Sequence, residues 1–504
     1  MRTMQRMWKP LGAVAAALAG VAVALAAPPK VSYPDEALVA LYEEAWREAR
    51  ERTLEAPEGA PVKRYMDEHV YEDQIWVWDS CFMAQFTKYA AEDYPGIETL
   101  EALYVPVVEQ RASPLRVHLF DNPPLFAWCE WLQWQFHGDR RRVEEILLER
   151  QLLQRHFAWF AAPPTGRQYA ASPNPIRLQA ASAGNGAKGF IWWGNGSGMD
   201  NTPRGRGAGG WGGILWVDAI AQQALAAQCI AQLYDALGQT DAAAPWRATF
   251  EALAREINTY YWDEQDGFYY DIALADGTPC RVKTLASYWP LLAGVAPPER
   301  ARRAFEHLRN PAEFGGERPF PSLSRDDPDF HAQTGEYWRG GIWLPTAYMT
   351  LKALERYGER ALADDLARRL LRQMARTYAC VSPATIWECY SPSADAPSSE
   401  YGRRVRPDFC GWSALGPINL FLEHELGLRA CRADLGLLCW EPPAGVRYPL
   451  AIEHLAFGPY RVSLWADGAS IRLRTNRALT LQAAGRTFSC PPGEHTFSLA
   501  PEHP

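Results

Sequence analysis

Between about residues 34 and 424 the chain is a long succession of helical patterns divided by loops, and that run limits what it can fold into more than any other feature. Leu38, Leu41, Tyr42 and Ala45 mark a first helix. Val143, Ile146, Leu147, Leu153, Phe157 and Phe160 mark a long one, and Leu362, Leu366, Leu370 and Met374 another. About twelve such segments can be counted, at 35–53, 79–94, 96–111, 123–137, 140–161, 213–237, 240–261, 285–294, 298–308, 341–357, 360–378 and 411–424. Gly138, Gly238 and Gly358 divide successive pairs, as a glycine just past a helix end does. Helical hairpins in such number either stack as a solenoid or close on themselves. No 30–45-residue repeat is visible, which disfavours the solenoid. The pattern predicts a mainly α chain, six hairpins closed into an (α/α)6 toroid.

The character changes after about residue 430. Val462 and Leu464, then Ile471 and Leu473, alternate with polar residues around the turn Asp467-Gly468. Leu479, Leu481, Phe488, Phe497 and Leu499 extend the short-strand pattern, broken by Gly485 and Pro491-Pro-Gly493. Residues 429–504 are therefore expected to form a small β-sheet or sandwich, either binding carbohydrate or capping the helices. At the other end, Arg2, Arg6 and Lys9 precede an uncharged run that closes on Ala24-Leu-Ala26. Residues 1–27 read as a secretion signal, with an uncleaved anchor as the rival, and leave 28–428 as the helical domain. The mature part is expected to be exported, periplasmic or secreted, and not to enter a membrane.

A net charge of −8 excludes nucleic acid or an anionic membrane surface as the main partner. The ten cysteines form no Cys-x-x-Cys pair and no Cys/His cluster at zinc spacing, so no metal and no cofactor is expected. Export permits disulfides, and Cys380 with Cys389 or Cys431 with Cys439 are the candidates. Asp326, Asp327 and Asp329 lack the downstream glutamate of a calcium loop and read as solvated acids.

Three connections, about 162–212, 309–340 and 379–410, are too long for plain helix turns, and such segments usually carry function. The first holds Ile191-Trp-Trp-Gly-Asn-Gly-Ser-Gly198 and then Asp200. The second runs into Glu336-Tyr-Trp-Arg-Gly-Gly-Ile-Trp343, and the third holds Trp387-Glu388. Two carboxyl groups from two loops, each beside indole rings, suit protonation of one side of a glycosidic bond and activation of water on the other. Protonation of Asp200 would need partial desolvation by Trp192, Trp193 and Trp211; an Asx-turn is its structural alternative. Glu388 would need to be ionised and open to water, with a loop ion pair to Arg403, Arg404 or Arg406 as the alternative.

The ordered set Glu72-Asp73, Trp78-Asp-Ser80, Asn122-Pro-Pro-Leu125, Ser197 to Arg204, Tyr261 to Asp271, Tyr337-Trp-Arg-Gly340 and Trp387-Glu388 resembles the inverting glycosidases of the clan that includes glycoside hydrolase family 63, trehalases and mannosylglycerate hydrolases. The resemblance spans about residues 70–424. It implies an (α/α)6 barrel, Asp200 as general acid, Glu388 as general base and Asp79 on the hydroxyls of the bound sugar; an N-cap is the alternative for Asp79. Trp78, Trp338, Trp387 and Trp412 would wall in one terminal sugar, with Asn122, Trp193 and Trp343 beside it. Arg339 would fork to hydroxyls or pair with Glu336. Ser398-Ser-Glu-Tyr-Gly402 and Glu336-Tyr-Trp-Arg339 stand where trehalases carry a Gly-rich cluster and a Gln-Trp-Asp run, a departure that argues against trehalose itself. The expected activity is hydrolysis of a terminal α-linked glucoside or mannoside in a disaccharide, oligosaccharide or glycosyl-glycerate. A glycoside phosphorylase and a non-catalytic carbohydrate-binding protein on the same barrel are the rivals.

Overall fold

Helices in this chain divide by the kind of face they bury. The computed structural model describes residues 27–68, 74–117, 123–161, 179–192, 194–443 and 448–498. Within them run α1 (Glu36–Glu51), α2 (Val77–Thr87), α3 (Gly96–Tyr104), α4 (Phe126–His137), α5 (Arg140–Glu144), α6 (Leu152–Ala161), α7 (Val217–Ala236), α8 (Thr240–Tyr260), α9 (Trp289–Leu292), α10 (Pro298–Arg309), α11 (Leu344–Arg356), α12 (Arg360–Cys380) and the π-wound α13 (Gly416–Glu425). Every residue of α2 and of α13 is buried, whereas α8 buries only Ala243 and Ile257 fully. A helix buried all round belongs to an inner wall; one with a single apolar stripe lies outside it.

Packing follows that division. α2 lies against α4, α4 against α7, α7 against α9, α9 against α11, and α11 against α13, which returns to α2. The inner helices thus close a ring. α3 packs outside α2, α8 outside α7, α12 outside α11 and α13, and α1 against α12 and α13. Each of the twelve expected segments contains a helix, with two interruptions. The expected helix at 96–111 widens into a π turn at Val105–Glu109, where Pro106 has no N–H to give the α ladder, and ends on left-handed Gln110 (φ 58°). The one at 140–161 breaks at a second π turn, Glu145–Glu149, before left-handed Gln151 (φ 52°), and restarts at Leu152. Arg150 at that break bonds Glu101 (2.7 Å), Glu109 (3.0 Å) and Glu145 (3.2 Å) and ties the two turns together.

Beyond α13 the strand pattern forms two sheets. One has the order Lys30–Ser32, Leu450–Phe457, Tyr460–Ala466, Ser470–Thr475 and Gly493–Ser498, all antiparallel. The other joins Leu428–Arg432, Leu437–Trp440, Leu479–Ala483 and Arg486–Cys490, with one parallel pair in the middle. Lys30–Ser32, assigned by sequence to the helical part, is therefore an edge strand of the C-terminal sheet. At Asp467-Gly468 the carboxylate accepts from the amides of Ala469 and Ser470, and Gly468 takes φ +90°, which fixes the hairpin.

All ten cysteines are free thiols. Cys431 lies opposite Leu438 and Cys439 opposite Ala430, so the two project to opposite faces and cannot bridge. Cys380 is exposed at the end of α12 while Cys389 is buried, and that pair does not form either. Among the described residues no helix is long and apolar enough to cross a membrane; the expected secretion signal lies outside them, save its last residue.

Candidate active site

The loop that carries Asp200 is shaped by glycines that meet indoles. A Cβ on Gly194 would lie 2.6 Å from Trp211 Cζ2, and one on Gly196 would lie 1.8 Å from Trp192 Nε1. Gly198, at φ +76°, lays the loop against Trp78 of α2. Below the loop, Arg204 is buried between two carboxylates. Its guanidinium reaches Asp218 at 2.7 and 2.9 Å and Asp271 at 2.6 and 2.8 Å, and its carbon lies 4.3 Å over the Trp216 ring. Asp271 also accepts from the Val217 amide, so one network joins the loop to the start of α7. Such a buried triad holds geometry firmly because losing one member strands the others' charge. Arg204 and Asp271 stood inside the sequence motifs, yet nothing in the sequence paired them.

Asp200 itself is exposed. Of the three indoles expected to desolvate it, Trp193 lies outside the described residues. Trp192 turns its indole edge to Gly196, and Trp211 lies on Gly194 and donates to the Thr202 carbonyl at 3.0 Å. The next residue, Asn201, is a latch. Its amide donates to the Glu336 carbonyl at 3.0 Å, and its carbonyl accepts from the Trp338 amide at 2.8 Å. Glu336 and Tyr337 both adopt positive φ, 31° and 65°, a strained turn for residues of this size. Ser399 and the Gly402 amide hold the Glu336 carboxylate at 2.5 and 3.1 Å.

That turn presents Tyr337 to Glu388. The phenol donates to Glu388 Oε1 at 2.9 Å, and Arg406 Nη1 reaches the same oxygen at 2.7 Å. Oε2 has one long contact, 3.4 Å from the Arg406 amide. Glu388 is 1% exposed, and its main chain is pinned: its amide donates to Arg406 O at 3.0 Å, and its carbonyl accepts from Trp412 Nε1 and Ser413 Oγ, both at 3.0 Å. Burial raises the Glu388 pKa above the ordinary carboxylate value, against the lowering pull of Arg406 and Tyr337. Burial first, then the charges of Glu388 and Asp200, hold the Tyr337 phenol well above its usual range, so it stays a donor. Tyr337 thus feels both candidate carboxylates.

Trp338 stacks on Trp343 with centroids 4.0 Å apart and planes at 4°, and Tyr337 meets the same ring edge-on at 4.6 Å. Trp343 is 0% exposed and donates Nε1 to the Tyr337 carbonyl at 3.1 Å. Trp343 thus buttresses Trp338 and Tyr337. Trp78, Trp338, Trp387 and Trp412 are all buried, Trp412 with its polar edge already on Glu388. Asp79 lies in the first turn of α2, whose N-cap position belongs to Trp76, so it is not a cap. Arg339 is 44% exposed and stands 3.9 Å from Asp329, not on Glu336. Asn122 and Trp193 fall outside the described residues, as does Glu72-Asp73. Asp327 and Asp329 hold Arg206, and Asp326 bonds Lys283 at 2.6 Å, so this acidic run is occupied by side-chain cations. Elsewhere Glu355, Glu423 and His424 offer ligand atoms within 4.8 Å of one another, but Lys352 Nζ sits on Glu355 and Glu423 at 2.8 and 2.5 Å.

The closed ring of inner helices is the barrel of a glycoside hydrolase of the family 63 and trehalase-like clan. More particularly, residues 72–409 match the family described as the mannosylglycerate hydrolase MGH1-like glycoside hydrolase domain, and the chain belongs to it. The mannosylglycerate hydrolase of Thermus thermophilus is 36% identical over 118 residues, 23% of this chain and 27% of that protein. A probable mannosyl-oligosaccharide glucosidase of Schizosaccharomyces pombe is 24% identical over 295 residues, 54% of this chain and 34% of its relative. Both alignments therefore span about a third of the relative or less. The fold is shared with the solved family 63 mannosylglycerate hydrolase of Thermus thermophilus at a TM-score of 0.57, 19% identity, over 75% of this chain and 99% of that one.

Proposed function

We propose that this glycoside hydrolase is an exported, inverting exo-enzyme that removes a terminal α-linked glucose or mannose, from a disaccharide, an oligosaccharide or a glycosyl-glycerate. Asp200 protonates the departing glycosidic oxygen. Glu388 takes a proton from the water that attacks the opposite face of the sugar. The observation that carries this reading is the unequal use of the two Glu388 oxygens. Tyr337 and Arg406 both bond Oε1, which orients the carboxylate and leaves Oε2 as the oxygen with spare lone pairs for water. Asp200 reaches the same turn through Asn201, so substrate closing over Tyr337 would withdraw the exposed acid from solvent and raise its pKa to a donor's value. Asp79 and Arg339 hold sugar hydroxyls, and Trp78, Trp338, Trp387 and Trp412 enclose the ring.

In this reading residues 1–27 are removed on export, 28–428 form the catalytic barrel apart from the Lys30–Ser32 strand, and 429–504 form a β domain packed on it. The test is a panel of α-glucosides, α-mannosides and glycosyl-glycerates given to wild type and Glu388→Gln, with and without inorganic phosphate. Phosphate-independent hydrolysis by the wild type, abolished in the variant while calorimetry still detects binding, is expected. Normal turnover by Glu388→Gln removes that residue from the mechanism, and turnover that requires phosphate makes the protein a phosphorylase.

A further inference from the structure

Far from the Glu388 loop, α4 ends where the Leu450–Phe457/Tyr460–Ala466 hairpin meets the helices, and a cleft of about 340 Å³ opens there. Its wall is one face of α4, with Glu130, Gln133, Trp134 and His137 at positions i, i+3, i+4 and i+7. A second hollow of about 90 Å³ shares Ala91, His137 and Gly458 with the first and is lined also by Lys88 and Arg461. The close approach is built in. A Cβ on Gly458 would lie 2.7 Å from the His137 carbonyl and 2.5 Å from Ala433 Cβ.

The two hollows differ in charge. In the larger, Glu130 is 1% exposed and satisfied by Arg142 (2.5 and 2.8 Å) and Tyr104 (2.5 Å), and Asp139 caps α5, so the charges there are internally paired. What remains is the half-buried Trp134 indole and Gln133 among apolar walls. In the smaller, Lys88 Nζ lies 5.2 and 5.5 Å over the rings of Tyr89 and Phe136 and has no carboxylate within bonding distance among the described residues. His137 Nε2 is buried with no partner among the described residues. Arg461 adds a second cation, and Glu92 is on it at 3.2 Å. Burial holds the Lys88 ammonium below its ordinary value against the opposing pull of the Glu423 charge, and burial together with Lys88 pushes His137 down to about 4; an anion in the hollow would favour the charged form of both.

We propose that this paired cleft binds an anionic saccharide, its ring against Trp134 and its negative group between Lys88, His137 and Arg461. Aromatic face and polar edge suit the ring, and a desolvated ammonium with an unpartnered imidazole beside it suits a carboxylate or phosphate. The site is separate from the hydrolytic one and does not depend on the mechanism assigned there.

The test is calorimetric titration of the full chain with glucuronate, glucose 6-phosphate and glucose as probes, on wild type, Lys88→Met, Arg461→Gln and Trp134→Ala. Binding of one or both anionic sugars is expected, weakened roughly tenfold or more by Lys88→Met and by Arg461→Gln at an exposed position. Glucuronate alone binding identifies a sugar acid, and glucose 6-phosphate alone a sugar phosphate. Hydrolytic kcat/KM should be unchanged in Arg461→Gln and Lys88→Met. No binding of either anion, equal binding of glucose, or wild-type affinity in Arg461→Gln overturns the proposal.

Discussion

At the scale of the residue, Glu388 is set by competing influences of known sign. Burial raises its pKa, and Arg406 and the Tyr337 hydroxyl lower it. A general base works only when ionised, so the acidic limb of the kcat/KM profile should follow this balance. Arg406→Gln removes the largest lowering influence, and the limb is expected to move to higher pH. Tyr337→Phe should move it in the same direction by less. A profile of kcat/KM against pH for the three proteins decides it, and an unmoved limb in Arg406→Gln would mean that another group is the base. Asp200 carries a different signature. Asp200→Asn removes the proton donor, and turnover of a glycoside with a poor leaving group should fall by roughly 10²–10⁴-fold, while an activated nitrophenyl glycoside suffers less. Equal losses on both would assign Asp200 to positioning alone. Both candidate carboxylates stood out in sequence, Asp200 in a Gly/Trp-rich loop and Glu388 directly after Trp387 in a long connection. Of their partners, Arg406 was one of three arginines expected to pair with Glu388, 18 positions on, and it does; Tyr337 was not, because no local pattern encodes a pairing across 51 positions. Trp343 and Trp338 look alike in sequence, and only the stacking of the two rings and the bond from Trp343 to the Tyr337 carbonyl show that one supports the other.

At the scale of the element, the loops that carry the acids are pinned from outside the site. Glu48 on α1 accepts from Thr385 Oγ1 at 2.7 Å and from the Ile386 amide at 3.1 Å, just before Glu388. Burial lifts its pKa from 4.5 to about 7. Below pH 4.5 the carboxyl is protonated in folded and unfolded chains alike, and its full contribution is present. As pH rises from 4.5 to about 7 the unfolded chain releases its proton first, and stability falls. Urea titrations at pH 5 and pH 8 should therefore show that Glu48→Gln reduces the loss of stability between the two by roughly 2–3 kcal/mol. The same loss in both proteins would contradict the assignment. Asn201→Ala cuts both bonds between the Asp200 loop and the Glu336–Trp338 turn, and kcat is expected to fall by about 10–100-fold with little change in melting temperature. A wild-type kcat would show that the latch does not position Asp200. The helices themselves were legible from period and glycine punctuation. The π turns at Val105–Glu109 and Glu145–Glu149 were not, because the Arg150 cluster that joins them draws on two separate helical segments.

For the whole molecule, the ring of α2, α4, α7, α9, α11 and α13 followed from counting helices and finding no repeat, since twelve unrepeated segments have few ways to bury their stripes. The return of Lys30–Ser32 to the C-terminal sheet was invisible, because a three-residue edge strand has no period to read. That strand ties residues 30–32 to the C-terminal sheet, while the long connections bring Tyr337 to Glu388 and fasten the Asp200 loop to the same turn through Asn201. Inversion requires that water, activated by Glu388, attack the face opposite the bond that Asp200 protonates. Proton NMR of the first product formed from an α-glycoside, recorded before mutarotation, tests this directly. The account predicts that the β-anomer appears first; an α-anomer first product would contradict it.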